Sequence, residues 1–139
     1  MNISDVMTKD LAQLQPNDTI VQAAQKMKEM NIGDVLIAEN NMLEGIITDR
    51  DIVIRCIASG MDANNTKASE CMTKNLVTVS PQTKVIDASH IMSEHQIRRL
   101  PVTEDGQLVG IVTLGDLAVD AAEEADVEMT LEQVSEPTR

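Results

Sequence analysis

Apolar and polar positions along this chain predict the same order of elements twice. In the first half, a short extended run gives way to an apolar spacing of three and four, then to two apolar runs separated by Asn40-Asn41, and then to a second helix. The predicted elements are an extended segment at 11–14, a helix at 20–30, strands at 35–38 and 43–47, and a helix from 49 onward. The first helix is expected to begin at the N-cap Asp18 and to end at Gly33.

The second half predicts these elements again, with Thr83 as the helix cap and Asp105-Gly106 as the hairpin turn. Aligned with itself at an offset of 65 positions, the chain matches without a gap, so that Met7-Thr8-Lys9 falls on Met72-Thr73-Lys74. A gapless match of this kind indicates a tandem repeat. The predicted divisions are repeat 1 at 4–60, a linker at 61–68, repeat 2 at 69–125 and an acidic C-terminal tail at 126–139.

Each repeat is too short to bury enough surface for much stability alone. We therefore expect an α/β fold in which two β-α-β-β-α repeats pack about a pseudo-twofold axis. The groove between two such copies is a natural pocket. The helices that start at Ile52 and Leu117 carry more apolar surface than one pair of repeats covers, which predicts a homodimer.

The net charge of −12 argues against a nucleic-acid partner, because phosphate binding requires clustered cations and only Arg98-Arg99 forms an adjacent pair. No apolar run approaches a membrane span, and the N-terminus lacks a signal-peptide core, so we expect a cytoplasmic protein without a membrane partner. Cys56 and Cys71 fit that compartment as reduced thiols, and core packing is favoured over a redox role.

Catalytic and metal-binding chemistry have no candidate residues. Nothing resembles a nucleophile with its base, so no catalytic residue and no enzyme activity are predicted. His90 and His95 are five positions apart and lie on different faces of the predicted helix, so they do not form a metal-ligand pair. The chain also contains no Phe, Tyr or Trp, so a bound heterocycle would lie between aliphatic side chains.

With these residues in place, the chain resembles a tandem pair of CBS domains, also called a Bateman module. The resemblance rests on Met-Thr near each repeat start, on the segment 97–102, and on the Gly-x-x-Thr-x-x-Asp segments at 45–51 and 110–116. The run 48–54 is similar to small stand-alone bacterial CBS-pair proteins of the hypoxic response protein type. The resemblance implies a non-catalytic regulatory module that requires no cofactor. It also implies binding of AMP, ADP, ATP or S-adenosylmethionine between the repeats, with an unidentified effector protein as a further partner.

The resemblance implies a set of nucleotide-binding residues, in which a carboxylate accepts hydrogen bonds from ribose hydroxyls and arginines neutralise phosphates. The set comprises Thr48, Arg50, Asp51, Arg98, Arg99, Leu100, Pro101, Thr113 and Asp116. By the family's architecture, the cleft with Asp51 is expected to face Arg98 and Arg99, and the cleft with Asp116 to face Gly33 and Asp34.

Three alternatives stay open. Arg98 and Arg99 are also compatible with a solvated pair before a strand, without a binding role. Thr-x-x-Asp is also a capping box at the start of a helix, and the two roles are compatible. At the level of function, the alternative to a nucleotide sensor is a ligand-free module whose dimer serves only structure and protein interaction.

Overall fold

The computed structural model describes residues 1–9 and 11–120, and the chain folds as two units, Leu11–Leu76 and a second that combines Met1–Asp10 with the chain from Val77 onward. The first of these is called the 11–76 unit below, and the second the 77–120 unit. The α/β class is confirmed, and the helices and strands occur in the predicted order with one exception: the extended segment predicted to open the second repeat contributes only an isolated bridge between Val79 and Val102. The predicted divisions, 4–60 and 69–125, follow the repeat in the sequence, and the two units divide the chain differently. Residues 69–76, which open the second repeat, belong to the 11–76 unit, and residues 1–9 belong to the 77–120 unit. The acidic tail at 126–139 lies outside the described residues.

The 11–76 unit contains three paired strands and the helices that cover them. Its elements are β1 (Gln13–Leu14), α1 (Ile20–Met30), β2 (Asp34–Glu39), β3 (Met42–Thr48), α2 (Asp49–Asp51) and α3 (Ala68–Cys71). β1 is parallel to β2, and β2 is antiparallel to β3. Asn40 and Asn41 both have positive φ, 51° and 65°, which matches the turn that the sequence predicts between these strands. The core includes Ile20, Ala23, Met27, Val35, Ile37, Ile47, Cys56 and Met72.

The caps predicted for α1 are wrong at both ends. Thr19 is the N-cap: its Oγ1 accepts from the Gln22 N–H at 3.2 Å, and the Gln22 side chain accepts from the Thr19 N–H at 2.7 Å. Asp18 instead accepts from the Gln15 N–H at 2.8 Å, which closes the preceding turn. The helix ends at Asn31, whose left-handed φ of 54° takes the role assigned to Gly33.

The helix predicted from position 49 changes its geometry after one turn. α2 continues directly into a π-helical segment, Ile52–Ile57, whose wider turns are uncommon and occur often at functional sites. Cys56 points into the core, whereas Val53, Ile54 and Ile57 are 59%, 46% and 58% exposed. This segment therefore presents an apolar face to solvent.

The 77–120 unit is built from a hairpin and two helices, joined by the start of the chain. Its elements are a 3₁₀ turn (Ile3–Asp5), α4 (Val85–His95), β4 (Arg99–Glu104), β5 (Gln107–Thr113) and α5 (Leu114–Asp120). Asp105 and Gly106 form the predicted turn, with φ of 53° and 79°. The predicted cap Thr83 does not cap α4, which begins after Lys84. The Oγ1 atom of Thr83 instead accepts from the Ser80 N–H at 3.1 Å. None of the helices within 1–9 and 11–120 is long and apolar enough to cross a membrane.

Candidate functional site

The first Thr-x-x-Asp segment forms a reciprocal capping box where β3 meets α2. Thr48 has an extended backbone, with φ −108° and ψ 163°, and its hydroxyl accepts from the Asp51 N–H at 3.0 Å. In return, Oδ2 of Asp51 accepts from the Thr48 N–H at 3.0 Å. The predicted structural role of this motif is therefore present, and it fixes the direction of the Asp51 side chain.

The Asp51 carboxylate is largely buried but keeps one oxygen without a short hydrogen bond. Its side chain is 13% exposed, and Nε of Arg55 lies 3.7 Å from Oδ1. The hydroxyl of Thr73 lies 3.3 Å from Oδ2 and 3.4 Å from Oδ1, so it is shared between both oxygens. Within the described residues, Oδ1 accepts no hydrogen bond shorter than that 3.4 Å contact, and it has acceptor capacity to spare.

Arg55 joins this carboxylate to a distant part of the same unit. Its Nη1 donates to the carbonyl of Met72 at 3.0 Å and, at 3.4 Å, to that of Cys71, where α3 ends. The side chain is 49% exposed, so the guanidinium lies at the surface with one edge on the protein. The π-helical segment thus places a cation beside Asp51 and against the carbonyls of Cys71 and Met72.

The segment that carries Thr73 packs closely on β3. Thr73 and Ile46 exchange two backbone hydrogen bonds, of 2.8 Å and 3.0 Å. A Cβ added to Gly45 would lie 2.7 Å from Sδ of Met72 and 2.8 Å from the Thr73 carbonyl oxygen. Only glycine permits this approach, which brings the Thr73 hydroxyl to Asp51.

The second Thr-x-x-Asp segment has the same capping box, but within the described residues no threonine hydroxyl donates to its aspartate. Thr113 Oγ1 accepts from the Asp116 N–H, and Asp116 Oδ2 accepts from the Thr113 N–H, both at 3.0 Å. At the 65-residue offset, Thr8 corresponds to Thr73, and Asp120 takes the place of Arg55. Thr8 pairs with Ile111 through its backbone. Among residues 1–9 and 11–120, no hydrogen bond joins the Thr8 hydroxyl to Asp116.

The arginine pair lies at the start of β4. The carbonyl of Arg98 accepts from the Leu114 N–H at 2.8 Å, and Arg99 is the strand partner of Thr113. The backbone of the pair is therefore next to the Thr113–Asp116 turn of its own unit. Arg98 is exposed and Arg99 is half-buried. That Arg98 and Arg99 neutralise the phosphates of a ligand bound at Asp51 stays a prediction.

The remaining predicted residues differ in exposure. Leu100 is fully buried in the core of the 77–120 unit, and Pro101 is buried and accepts from the Val79 N–H through its carbonyl at 3.1 Å. Arg50 is exposed on α2, and its N–H donates to Oδ1 of Asp49 at 2.7 Å. Their binding roles stay predictions as well.

Sequence reasoning missed Arg55 and Thr73 as parts of this site. Arg55 follows Asp51 by four positions on a predicted helix, a spacing that brings side chains together, and this was the available signal. Thr73 is 22 residues from Asp51, and only the fold brings the two together.

The cysteines lie in the core beside this site. Cys56 and Cys71 are free thiols, both fully buried. Burial raises the pKa of the Cys71 thiol, and the neighbouring Cys56 sulfur raises it further. Among the described residues, no group of three or more His, Cys, Asp or Glu side chains is placed to hold a metal ion.

Comparison with known proteins identifies the family. The CBS domain family matches residues 3–57 and 68–122. The chain is 42% identical over 134 residues to the CBS domain-containing protein YhcV of Bacillus subtilis, covering 96% of this chain and 95% of that protein. It is 37% identical over 125 residues to Hypoxic response protein 1 of Mycobacterium tuberculosis, covering 89% of this chain and 87% of that protein.

The fold leads to the same family. A crystal structure of Hypoxic Response Protein I with two coordinated zinc ions matches with a TM-score of 0.79 and 36% identity, covering 86% of this chain and 98% of that one. The predicted family is thus confirmed by sequence and by structure. This chain belongs to the CBS domain family, as a tandem CBS pair of the regulatory kind.

Proposed function

We propose that this CBS pair is a non-catalytic cytoplasmic sensor that binds an adenosine-containing nucleotide of the AMP, ADP or ATP type. In this proposal Asp51 accepts hydrogen bonds from the ribose hydroxyls, and the cations at 50, 98 and 99 balance the phosphates. S-adenosylmethionine shares the adenosine part and is the further ligand to be tried. The two free, buried thiols accord with a reducing compartment.

The observation that carries the proposal is the state of the Asp51 carboxylate. Within the described residues, Oδ1 of this 13% exposed carboxylate has one hydrogen bond, the 3.4 Å contact shared with Thr73, and an ion pair with Arg55 at 3.7 Å, so it has acceptor capacity left for a ligand. The capping box and Thr73 fix its orientation, so a ligand hydroxyl meets an acceptor that is already aligned. Two adjacent hydroxyls of a ribose suit such a carboxylate, and hydrogen bonds to a charged acceptor are the stronger kind.

The phosphate part of the proposal follows from charge. The chain has a net charge of −12, so an anionic ligand is repelled at long range and needs local cations. Arg98-Arg99 is the only adjacent pair of cations in the sequence, and guanidinium groups match phosphate geometry.

A ligand-free module is the second candidate, and one observation favours it. Both aspartates of the Thr-x-x-Asp segments already have a structural task, because each closes a capping box with two hydrogen bonds of 3.0 Å. If capping is their whole role, the chain acts only through protein contacts.

Calorimetric titration separates these candidates. Wild-type protein is titrated with adenosine, AMP and ATP, and then the Asp51→Ala variant is titrated in the same way. Loss of a charged hydrogen bond costs about 1.5–3 kcal/mol, so affinity should fall roughly ten- to hundredfold. Asp18→Ala is the matched control, because it also removes a carboxylate that accepts from a backbone N–H in the same unit. Equal affinities in wild type and Asp51→Ala, or no binding by wild type, refute nucleotide binding at Asp51.

We also propose that the sensor acts as a homodimer that presents itself to an effector protein. The support is the exposed apolar face of the π-helical segment, formed by Val53, Ile54 and Ile57. Exposed apolar side chains that lie together on one helical segment are typical of interaction surfaces.

A further inference from the structure

We propose that Arg55 is a positioning residue that acts through the Asp51 carboxylate. The positive charge of Arg55, held beside that carboxylate, raises the affinity of Asp51 for ligand hydroxyls, and Arg55 itself does not contact the ligand. This inference rests on the nucleotide-binding function proposed above. It adds a residue that the motif does not contain and assigns it a task distinct from phosphate binding.

The distances around Arg55 separate two kinds of contact. Its short hydrogen bond goes to the carbonyl of Met72, at 3.0 Å, with a longer one to Cys71 at 3.4 Å. Nε is 3.7 Å from Oδ1 of Asp51, which is within ion-pair range but too long for a hydrogen bond. The guanidinium therefore balances the charge of the carboxylate without occupying an acceptor site on Oδ1.

This arrangement suits an acceptor that must serve a ligand. A direct Arg–carboxylate fork would fill both oxygens, and a ribose hydroxyl would have to displace it. Here the carbonyls of Cys71 and Met72 hold the guanidinium at the required distance. Asp51 keeps a nearby positive charge and an open oxygen at the same time.

The charges of the turn explain why a cation is needed. α2 contains Asp49 as well as Asp51, and the whole chain is strongly acidic. Among the described residues, Arg55 is the cation in ion-pair range of this largely buried carboxylate, with Nε 3.7 Å from Oδ1. In the sequence, the position that corresponds to Arg55 in the other repeat is Asp120, which carries no positive charge.

The test compares Arg55→Lys and Arg55→Gln with Lys28→Met, which removes one exposed positive charge from α1 and serves as the control. Adenosine and ATP are titrated by calorimetry, and the melting temperature of each variant is measured by circular dichroism. Lysine keeps the charge but cannot reach a carboxylate and two carbonyls at once, whereas glutamine keeps a donor for one carbonyl and loses the charge.

If Arg55 positions Asp51 through its charge, Arg55→Gln weakens adenosine and ATP by the same factor, about three- to tenfold, and Arg55→Lys stays within about twofold of wild type. Both variants lower the melting temperature, because both lose hydrogen bonds of the guanidinium to the carbonyls of Cys71 and Met72. Ligand affinity therefore depends on the charge at position 55, and stability depends on those hydrogen bonds.

Three outcomes overturn the inference. Equal loss of affinity in both variants means that Arg55 acts only through the fold. A loss confined to ATP means that it contacts phosphate. Unchanged affinity in Arg55→Gln means that it has no role in binding. Absence of adenosine binding by wild type overturns the proposed function and this inference together, which distinguishes that failure from the other three.

Discussion

Replacing Gly45 with alanine tests the close packing that brings Thr73 to Asp51. The new Cβ would lie 2.7 Å from Sδ of Met72 and 2.8 Å from the Thr73 carbonyl oxygen. Met72 is flexible and can shift its sulfur. The Thr73 carbonyl cannot retreat as easily, because it accepts from the Ile46 N–H at 3.0 Å.

The expected cost follows from those two contacts. Inserting a methyl into a filled space costs about 1–3 kcal/mol, and weakening the Ile46–Thr73 hydrogen bond adds about 0.5–1.5 kcal/mol. Alanine restricts the unfolded chain more than glycine does, which offsets about 0.4–1 kcal/mol of the total. We expect a net loss of about 2–3 kcal/mol and a melting temperature lower by about 8–12 °C.

Two other glycines provide the controls. Gly115 lies in α5, and an added Cβ would meet only Oγ1 of Thr113 at 3.6 Å, so Gly115→Ala should be neutral or stabilising by up to about 1 kcal/mol. Gly110→Ala should lie between the two, because the Thr8 carbonyl oxygen is 3.2 Å from its added Cβ.

Thermal unfolding followed by far-ultraviolet circular dichroism is the assay, since the chain has no Trp or Tyr. A Gly45→Ala melting temperature equal to that of Gly115→Ala would show that the segment at Thr73 is not packed as described.

Three further predictions concern other parts of the molecule. The pKa of the Cys71 thiol is raised in the folded chain, so the thiol contributes its full stability below the ordinary thiol pKa of about 8.5. That contribution is lost as the pH rises from there through the raised pKa. The urea midpoint should therefore fall more between pH 8 and 10 in wild type than in Cys71→Ala. Ile57→Glu places a charge on the exposed apolar face, so light scattering should give a dimer mass for wild type and a monomer mass for the variant; a wild-type monomer at micromolar concentration contradicts the proposed assembly. Arg99→Ala should weaken ATP and AMP more than adenosine in calorimetry, and an equal loss for all three would contradict the phosphate role.

The sequence was most informative where a structure depends on neighbouring residues. The turns at Asn40-Asn41 and Asp105-Gly106 need positive φ, which Asn, Asp and Gly tolerate, and both turns are present. The two capping boxes were predictable for the same reason, since Thr and Asp three positions apart interact within one turn.

The predicted N-cap of α1 was wrong because two adjacent residues compete for that role. Asp18 and Thr19 are both good N-caps, and the choice depends on the Gln15 N–H, which engages the Asp18 carboxylate. Nothing in the composition of Ile52–Ile57 distinguishes a π-helical segment from an α-helix.

The surroundings of Asp51 were beyond local reasoning because they depend on distant segments. Arg55 is explained by its contacts 16 and 17 residues away, and Thr73 reaches Asp51 only because Gly45 permits a close approach. Because the two repeats exchange their opening segments, Met72-Thr73 packs on Gly45 and Met7-Thr8 packs on Gly110. A gapless repeat in sequence cannot reveal that exchange.

In the proposed function, Asp51 binds the hydroxyls of a ribose. The most direct measurement is a calorimetric cycle in which adenosine and 2′,3′-dideoxyadenosine are each titrated into wild type and into Asp51→Ala. We predict that removing the hydroxyls lowers the affinity of wild type at least tenfold and leaves that of Asp51→Ala unchanged, because the hydroxyls then have no carboxylate to meet. Equal losses in the two proteins would contradict the account, since the hydroxyls and Asp51 would then act independently.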